Sequence, residues 1–171
     1  MTNLTHNFSK LFFGAVMLAL FLVVLNTATN TVTAVDDQVS FTVEGTAVLT
    51  SVTKLPGGLT QLDGFTSGKA THLGNFTGPV TRIQNNQGNF NSTFVLIGAN
   101  EKDSVFLTTS GTFDTSKDKC VITSTGTYLV TGGTGAFANA TGSGTIATET
   151  DVCAGTALGT FTGTISRPNL N

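Results

Sequence analysis

An all-β barrel of eight antiparallel strands is the fold class this sequence predicts, and three observations predict it. After Asp36-Asp37 the apolar pattern has period two almost throughout, and no long window shows helical periodicity. Turn residues interrupt that alternation at short intervals, which leaves eight strand patterns with no room for a crossover helix. Nearly every strand also carries an internal glycine, where the tight coiling of a closed sheet is expected. Eight strands suffice to close a barrel around side chains or one small ligand, and closure removes the exposed edges. A two-sheet sandwich is the competing all-β solution.

The elements follow in order. In strand one Val39, Phe41, Val43, Gly45, Ala47 and Leu49 alternate with a mostly polar set, and Leu55-Pro56-Gly57-Gly58 ends it as a turn. Strand two is expected over 59–70, where Gly64 and Gly68 mark bulges or coiling. Strand three, over 76–84, contains Pro79, which has no N–H to give a ladder and so predicts a strand end or a bulge. Asn85-Asn86-Gln87-Gly88-Asn89 is a turn signal. Strand four, over 90–97, has apolar residues on both faces and is expected to be covered twice, by the lumen inside and a neighbouring subunit outside. Strands five to eight are expected over 104–113, 120–131, 143–150 and 157–166.

The first segment has a different character. Lys10 precedes an apolar run from Leu11 to Leu25, which has about the length of a signal-peptide core and is short for a membrane span. Val32-Thr33-Ala34 suits signal peptidase, so residues 1–34 are expected to be removed by cleavage after Ala34, leaving a single barrel domain over 35–171 that is secreted or held at the cell surface, with no membrane span in the mature chain. An uncleaved anchor is the alternative.

Only 11% of the chain is charged, and without Lys10 seven Lys and Arg face ten Asp and Glu, a net charge of about −3. The basic residues are scattered, so the chain lacks the basic patch that nucleic acid binding requires.

Two cysteines, Cys120 and Cys153, are predicted to pair in an exported chain. Their midpoint falls between Ala136 and Phe137, inside a glycine-rich stretch running from Thr131 to Gly142. If that stretch folds its flanking strands back antiparallel, the cysteines meet at the far end of the hairpin; two free thiols are the alternative.

The same stretch, Thr131-Gly132-Gly133-Thr134-Gly135-Ala136-Phe137-Ala138, also looks like a dinucleotide phosphate loop. That chemistry needs a helix directly behind the glycines, whereas Gly142, Gly144 and alternating threonines follow. The stretch is therefore read as a barrel corner, with Gly132, Gly133 and Gly135 supplying the turn and positive φ expected at Gly133 and Gly135. No cofactor is expected.

Catalytic constellations are scarce. Beyond the leader His72 is the sole histidine, so histidine metal clusters are excluded. His72 with a serine and Asp63 could form a triad only by folding, and a turn histidine is the simpler reading. Glu44 is expected on a solvated face, and Glu149 and Asp151 near a rim. Arg82 and Tyr128 are the two residues able to place a polar tip in an apolar lumen. Tyr128 is equally suited to the core with its hydroxyl satisfied, and Arg82 to a rim. Asn75, Asn91 and Asn139 head sequons that matter only in a glycosylating host.

Ala70-Thr71-His72-Leu73-Gly74-Asn75-Phe76-Thr77, then Gly132-Gly133-Thr134-Gly135-Ala136-Phe137-Ala138-Asn139-Ala140-Thr141-Gly142, then Phe161-Thr162-Gly163-Thr164-Ile165-Ser166, following a leader, resembles secreted microbial proteins with an allene oxide cyclase barrel-like domain. Those are distantly similar to plant dirigent proteins, which carry a comparable glycine turn. The resemblance implies a calycin-type barrel around an apolar cavity, trimeric in plant members, with Phe137 as a plug at the barrel end. The relatives commonly carry Arg where this chain has Asn75 and Ala136, and they require no cysteine pair, which makes a disulfide here a local addition. Their pocket acids, arginines and tyrosines have no residue-by-residue match in this chain.

The expected role is thus non-enzymatic binding of an apolar small molecule or a structural part at the cell surface. The alternative is a cofactor-free isomerase or stereo-directing enzyme of cyclase or dirigent type. A lumen packed solid excludes ligand and enzyme alike; a dry apolar cavity favours carriage, and two or more buried polar groups near Arg82 or Tyr128 favour the enzyme.

Overall fold

A computed structural model of the chain describes residues 37–115, 119–166 and 168. The expected leader over 1–34 and the cleavage after Ala34 lie outside the described residues. Eight strands follow one another: β1 (Gln38–Leu55), β2 (Leu59–Ala70), β3 (Gly74–Gln84), β4 (Asn89–Gly98), β5 (Ser104–Asp114), β6 (Val121–Thr134), β7 (Gly142–Asp151) and β8 (Thr156–Ser166). Each pairs antiparallel with the next, and β1 also pairs with β8 from Gln38↔Ser166 to Val48↔Thr156, which closes the barrel. Among the described residues no helix is long and apolar enough to cross a membrane.

The alternation in sequence becomes an inside and an outside. Phe41 and Val43 of β1, Leu62 of β2, Phe76 of β3, Leu96 of β4 and Leu107 of β5 are all at most 4% exposed, and all point inward. Threonines dominate the outer phase, where β-branched side chains stiffen the strands at little cost in water. Val48 and Phe65, partners across β1 and β2, are outer exceptions at 59% and 61% exposed, and Val52, Ile83, Leu129 and Leu158 are exposed as well.

One expectation about irregular strands is corrected and one is borne out in part. Pro79 lies mid-strand opposite Phe65, and the β3–β4 pairing passes over Gly78 and Pro79 between Thr77↔Ile97 and Val80↔Phe94 without changing register. Its missing N–H therefore falls where no ladder bond is drawn, and neither an end nor a bulge is needed. Gly64 does mark a bulge, since the β1–β2 register shifts between Leu49↔Gly64 and Ser51↔Asp63, whereas Gly68 lies in an unshifted ladder; the other shift falls beside Thr131 in β6. The strand glycines also serve close approach. Gly45↔Gly68, Gly111↔Gly126 and Gly144↔Gly163 face each other across their ladders, and a Cβ on Gly68, Gly111 or Gly163 would come 2.6 Å from the partner's Cα.

The two ends of the barrel differ. At one end the connection after β6 makes a single 3-10 turn, Gly135–Phe137, which brings Phe137 against Phe41, Tyr128 and Ile165 at 1% exposure. Asp103 holds that turn: its carboxylate accepts the Ala136 N–H at 2.8 Å and the Asn100 side-chain amide at 2.6 Å. The Ala136 N–H bond, then that of Asn100, keeps the carboxyl below its ordinary value. At the opposite end a disulfide joins Cys120, before β6, to Cys153, between β7 and β8, with Cα atoms 5.3 Å apart. The ladder from Val130↔Gly142 down to Val121↔Asp151 delivers the two cysteines to each other, as their spacing about the turn predicts.

Gly135 has φ +58 and Gly132 has φ +143, so both occupy space that side-chain-bearing residues avoid. Gly133 does not, contrary to expectation. It is restricted by contact, since a Cβ there would collide with the Ser104 carbonyl oxygen of β5 and sit 2.8 Å from the Phe137 carbonyl oxygen and Cβ.

Candidate functional site: the barrel lumen

Between the Phe137 end and the disulfide end the lumen is not filled. It holds a cavity of about 80 Å³, room for several waters at roughly 10–15 Å³ each. Its wall is mainly apolar, including Val43, Leu62, Phe76, Phe94 and Phe161, with Phe94 and Phe161 in edge contact at 5.2 Å between ring centroids. Gly45 and Gly159, paired across β1 and β8, leave one side of that wall without side chains, and outward-facing Thr46 and Leu158 border the cavity there.

Arg82 is the one charged residue of this lining. Strand phase places it in the lumen, since it pairs with inward Leu62 on β2 and inward Ser92 on β4. Of its two expected placements, lumen or rim, the structure shows the lumen: its side chain reaches across to β6. Nη1 donates to Ser124 Oγ of β6 at 3.0 Å, and Nε donates to Gln84 Oε1 at 3.0 Å. The guanidinium lies over the Phe90 ring at 4.1 Å from its centroid, with the Phe113 ring at 5.3 Å. Burial lowers its pKa to about 10, so the group is charged at neutral pH.

Arg82 Nη2 is buried with no hydrogen-bond partner, and so is Thr148 Oγ1. Thr148 stands directly opposite Ser124 in the β6–β7 ladder and lines the same cavity. The hydroxyl that anchors Arg82 therefore sits beside a second, unengaged one. No Asp, Glu or His lines the cavity, so among the described residues it holds neither a carboxylate to balance Arg82 nor a general base.

Tyr128 is placed apart from this group. It is fully buried at the Phe137 end, its hydroxyl donates to the Thr164 carbonyl oxygen at 3.4 Å, and its ring packs against Phe41 and Phe161 at 6.4 and 5.8 Å. Burial raises its pKa, which keeps the phenol neutral. The two sequence candidates thus divide, Arg82 to the cavity and Tyr128 to the packed end.

The remaining candidates are not assembled into a site. His72 is exposed in the turn after β2. The Asp63 carboxylate points outward and accepts bonds from Gln61, Thr81 and Ser51, which lower its pKa and occupy it. Glu44 and Glu149 are exposed, as are Asn75, Asn91 and Asn139. No group of three or more His, Cys, Asp or Glu among the described residues could hold a metal ion. The glycine stretch leads into strand β7, so the helix of a phosphate loop is missing.

Ser124, Thr148 and Gln84 were not singled out from the sequence, yet the signal was present. Thr148 is in phase with Ile146, and Ser124 with Ile122 and Tyr128, so a polar residue in a lumen-facing row marks each. No protein family, curated protein or solved structure matches the chain.

Proposed function

We propose that this is an exported barrel of the allene oxide cyclase-like kind whose lumen binds a small apolar molecule. The observation that carries the reading is the mainly apolar cavity in the lumen, which among the described residues is lined by no acid or imidazole to perform proton transfer. The Cys120–Cys153 bridge suits an oxidising compartment, in keeping with export. Calycin-type barrels enclose ligands in this way, and the resemblance in the Gly132–Gly142 stretch supports placing the chain among them.

A specific observation favours a second reading. Two buried polar groups, Arg82 Nη2 and Thr148 Oγ1, are unengaged at the cavity, and such donors could stabilise negative charge developing on a reacting molecule. A cofactor-free isomerase or stereo-directing enzyme would use them so.

Native mass spectrometry of the secreted protein tests both. A bound small molecule recovered unchanged after extraction supports carriage, and one recovered as an isomer of the molecule supplied supports the enzyme. A protein that carries nothing, and whose melting temperature no apolar probe raises, overturns the lumen as a site and leaves the cell-surface structural role. The same spectrum reads the oligomeric state, for which the resemblance suggests a trimer and the outward pair Val48 and Phe65 supplies apolar surface.

A further inference from the structure

We propose that a groove on the outside of the barrel, running across β8, β1 and β2, binds a neutral polysaccharide. The proposal goes beyond the lumen and does not depend on what the lumen holds.

The groove has a volume of about 560 Å³ and takes three residues from each of the three strands. Glycines make its floor, since Gly45 of β1 pairs with Gly68 of β2 on one side and with Gly159 of β8 on the other. The floor is therefore bare backbone. Two rows of outward side chains form its walls. Thr160, Glu44 and Lys69 stand in register along one, and Leu158, Thr46 and Ser67 along the other. All six are exposed. Alternate residues of a strand lie about 7 Å apart and neighbouring strands about 4.8 Å, a span that one sugar ring covers.

The chemistry of the walls identifies the ligand class. Glu44 offers only acceptors and Lys69 only donors, and they face each other across the β1–β2 ladder with charges that offset. The first repels an anion and the second a cation, whereas neighbouring sugar hydroxyls, each both donor and acceptor, satisfy the two together through charge-assisted hydrogen bonds. Thr160, Thr46 and Ser67 add hydroxyls of the same dual character. Leu158, 60% exposed, and Phe65, the next outward residue beyond Ser67 on β2 and 61% exposed, supply apolar contact for the C–H face of a ring. A peptide adding as a strand is the poorer occupant, because the closed barrel has no free strand edge to extend.

The surface around the groove favours a polymer over a single sugar. Thr42 pairs with Thr162, and Thr162 with Thr145, so uncharged hydroxyls continue from β1 across β8 to β7. Weak contacts spread along one chain reinforce one another through effective concentration.

Co-sedimentation of the secreted protein with insoluble cellulose, chitin and mannan tests the proposal, with alginate-coated beads as the anionic control. Wild type should be retained on at least one neutral polysaccharide at least tenfold more than on alginate. Phe65→Ala and Lys69→Met should each reduce that retention several-fold. Glu44→Lys should lose the neutral polymer and gain alginate, a reversal that loss of folding cannot produce. All three positions are exposed, and unchanged melting temperatures verify that the variants fold. Retention on none of the neutral polysaccharides, or retention that survives both Glu44→Lys and Phe65→Ala, overturns the proposal. Either result leaves the lumen reading as it stands, because Glu44, Phe65 and Lys69 do not line the lumen cavity.

Discussion

The two ends of the barrel are built from one alternating pattern and reach opposite results. At the Phe137 end the inward positions include Phe41, Tyr128, Phe137 and Ile165, all at most 1% exposed. Toward the disulfide end the inward positions include Arg82, Ser124, Thr148 and Thr150, and Arg82, Thr148 and Thr150 border the unfilled cavity. The first end is held by close packing of backbone and aromatic rings, the second by a covalent bridge at its rim. A barrel can leave part of its lumen empty when a cross-link, rather than packing, restrains the strands around it.

Substitutions at the two ends should therefore differ in size. The largest effect is expected at Gly135→Val, where positive φ, the Asp103 carboxylate and the Lys102 carbonyl all oppose a side chain. A loss on the order of 3 kcal/mol or more, or failure to fold, should appear in thermal denaturation. Gly57→Ala is the matched control at the other end, with φ +76 and nothing within 4 Å of its Cβ, and should cost only about 1 kcal/mol. Equal costs at the two sites would erase the contrast between the ends.

Cys120→Ser with Cys153→Ser comes next. The bridge closes a loop of 33 residues and should contribute roughly 3 kcal/mol, mainly by restricting the unfolded chain. Chemical denaturation of the double variant should show that loss, and hydrogen exchange should open β7 and β8 near their connection before it reaches Tyr128. A uniform rise in exchange would indicate that the ends are not independent.

Arg82→Met should act in the opposite direction. Replacing an unbalanced buried cation with an apolar side chain of similar length is expected to be neutral or to stabilise by up to about 2 kcal/mol. Because burial lowers the folded-state pKa to about 10, charged Arg82 opposes folding below that pH, and its cost diminishes as pH rises through 10. The stability difference between wild type and Arg82→Met should shrink over that range. A clearly destabilised variant would mean that the cation serves the fold through Ser124 and Gln84.

The smallest effect belongs to Asp103. Its pKa is lowered in the folded state, so its contribution is present above the ordinary 3.8 and is lost as pH falls through the lower folded value. The protection of the Ala136 amide, measured against its intrinsic exchange rate, should therefore fall in acid in wild type, and an Asp103→Asn variant should show a weaker pH dependence of that protection. An amide insensitive to pH would show that Phe137 alone seats the turn.

Much of this was legible in the chain itself, because strand phase and turn chemistry are local properties. The strand expected over 59–70 is β2 to the residue, and the other strands differ from their expected limits by a few residues at most. The cysteine pairing followed from symmetry about Thr131–Gly142, since residues equidistant from a hairpin turn must meet. The phase that puts Arg82, Ser124 and Thr148 on inward faces is present in the chain, although of the three only Arg82 stood out as a lumen candidate.

Tertiary structure decided the rest. Closure of β1 on β8 depends on the accumulated coil of the whole sheet, which no single segment encodes. Which inward side chains meet across the lumen depends on register and strand tilt, so the reach of Arg82 from β3 to Ser124 on β6 could not be read from spacing. Gly133 is required because the Ser104 carbonyl oxygen of the neighbouring strand and the folded-back Phe137 both approach it, contacts set by the β5–β6 ladder and the turn together. Period and turn residues determined eight antiparallel strands with an inner and an outer face; packing between distant strands determined that they close and that Arg82 borders an unfilled part of the lumen.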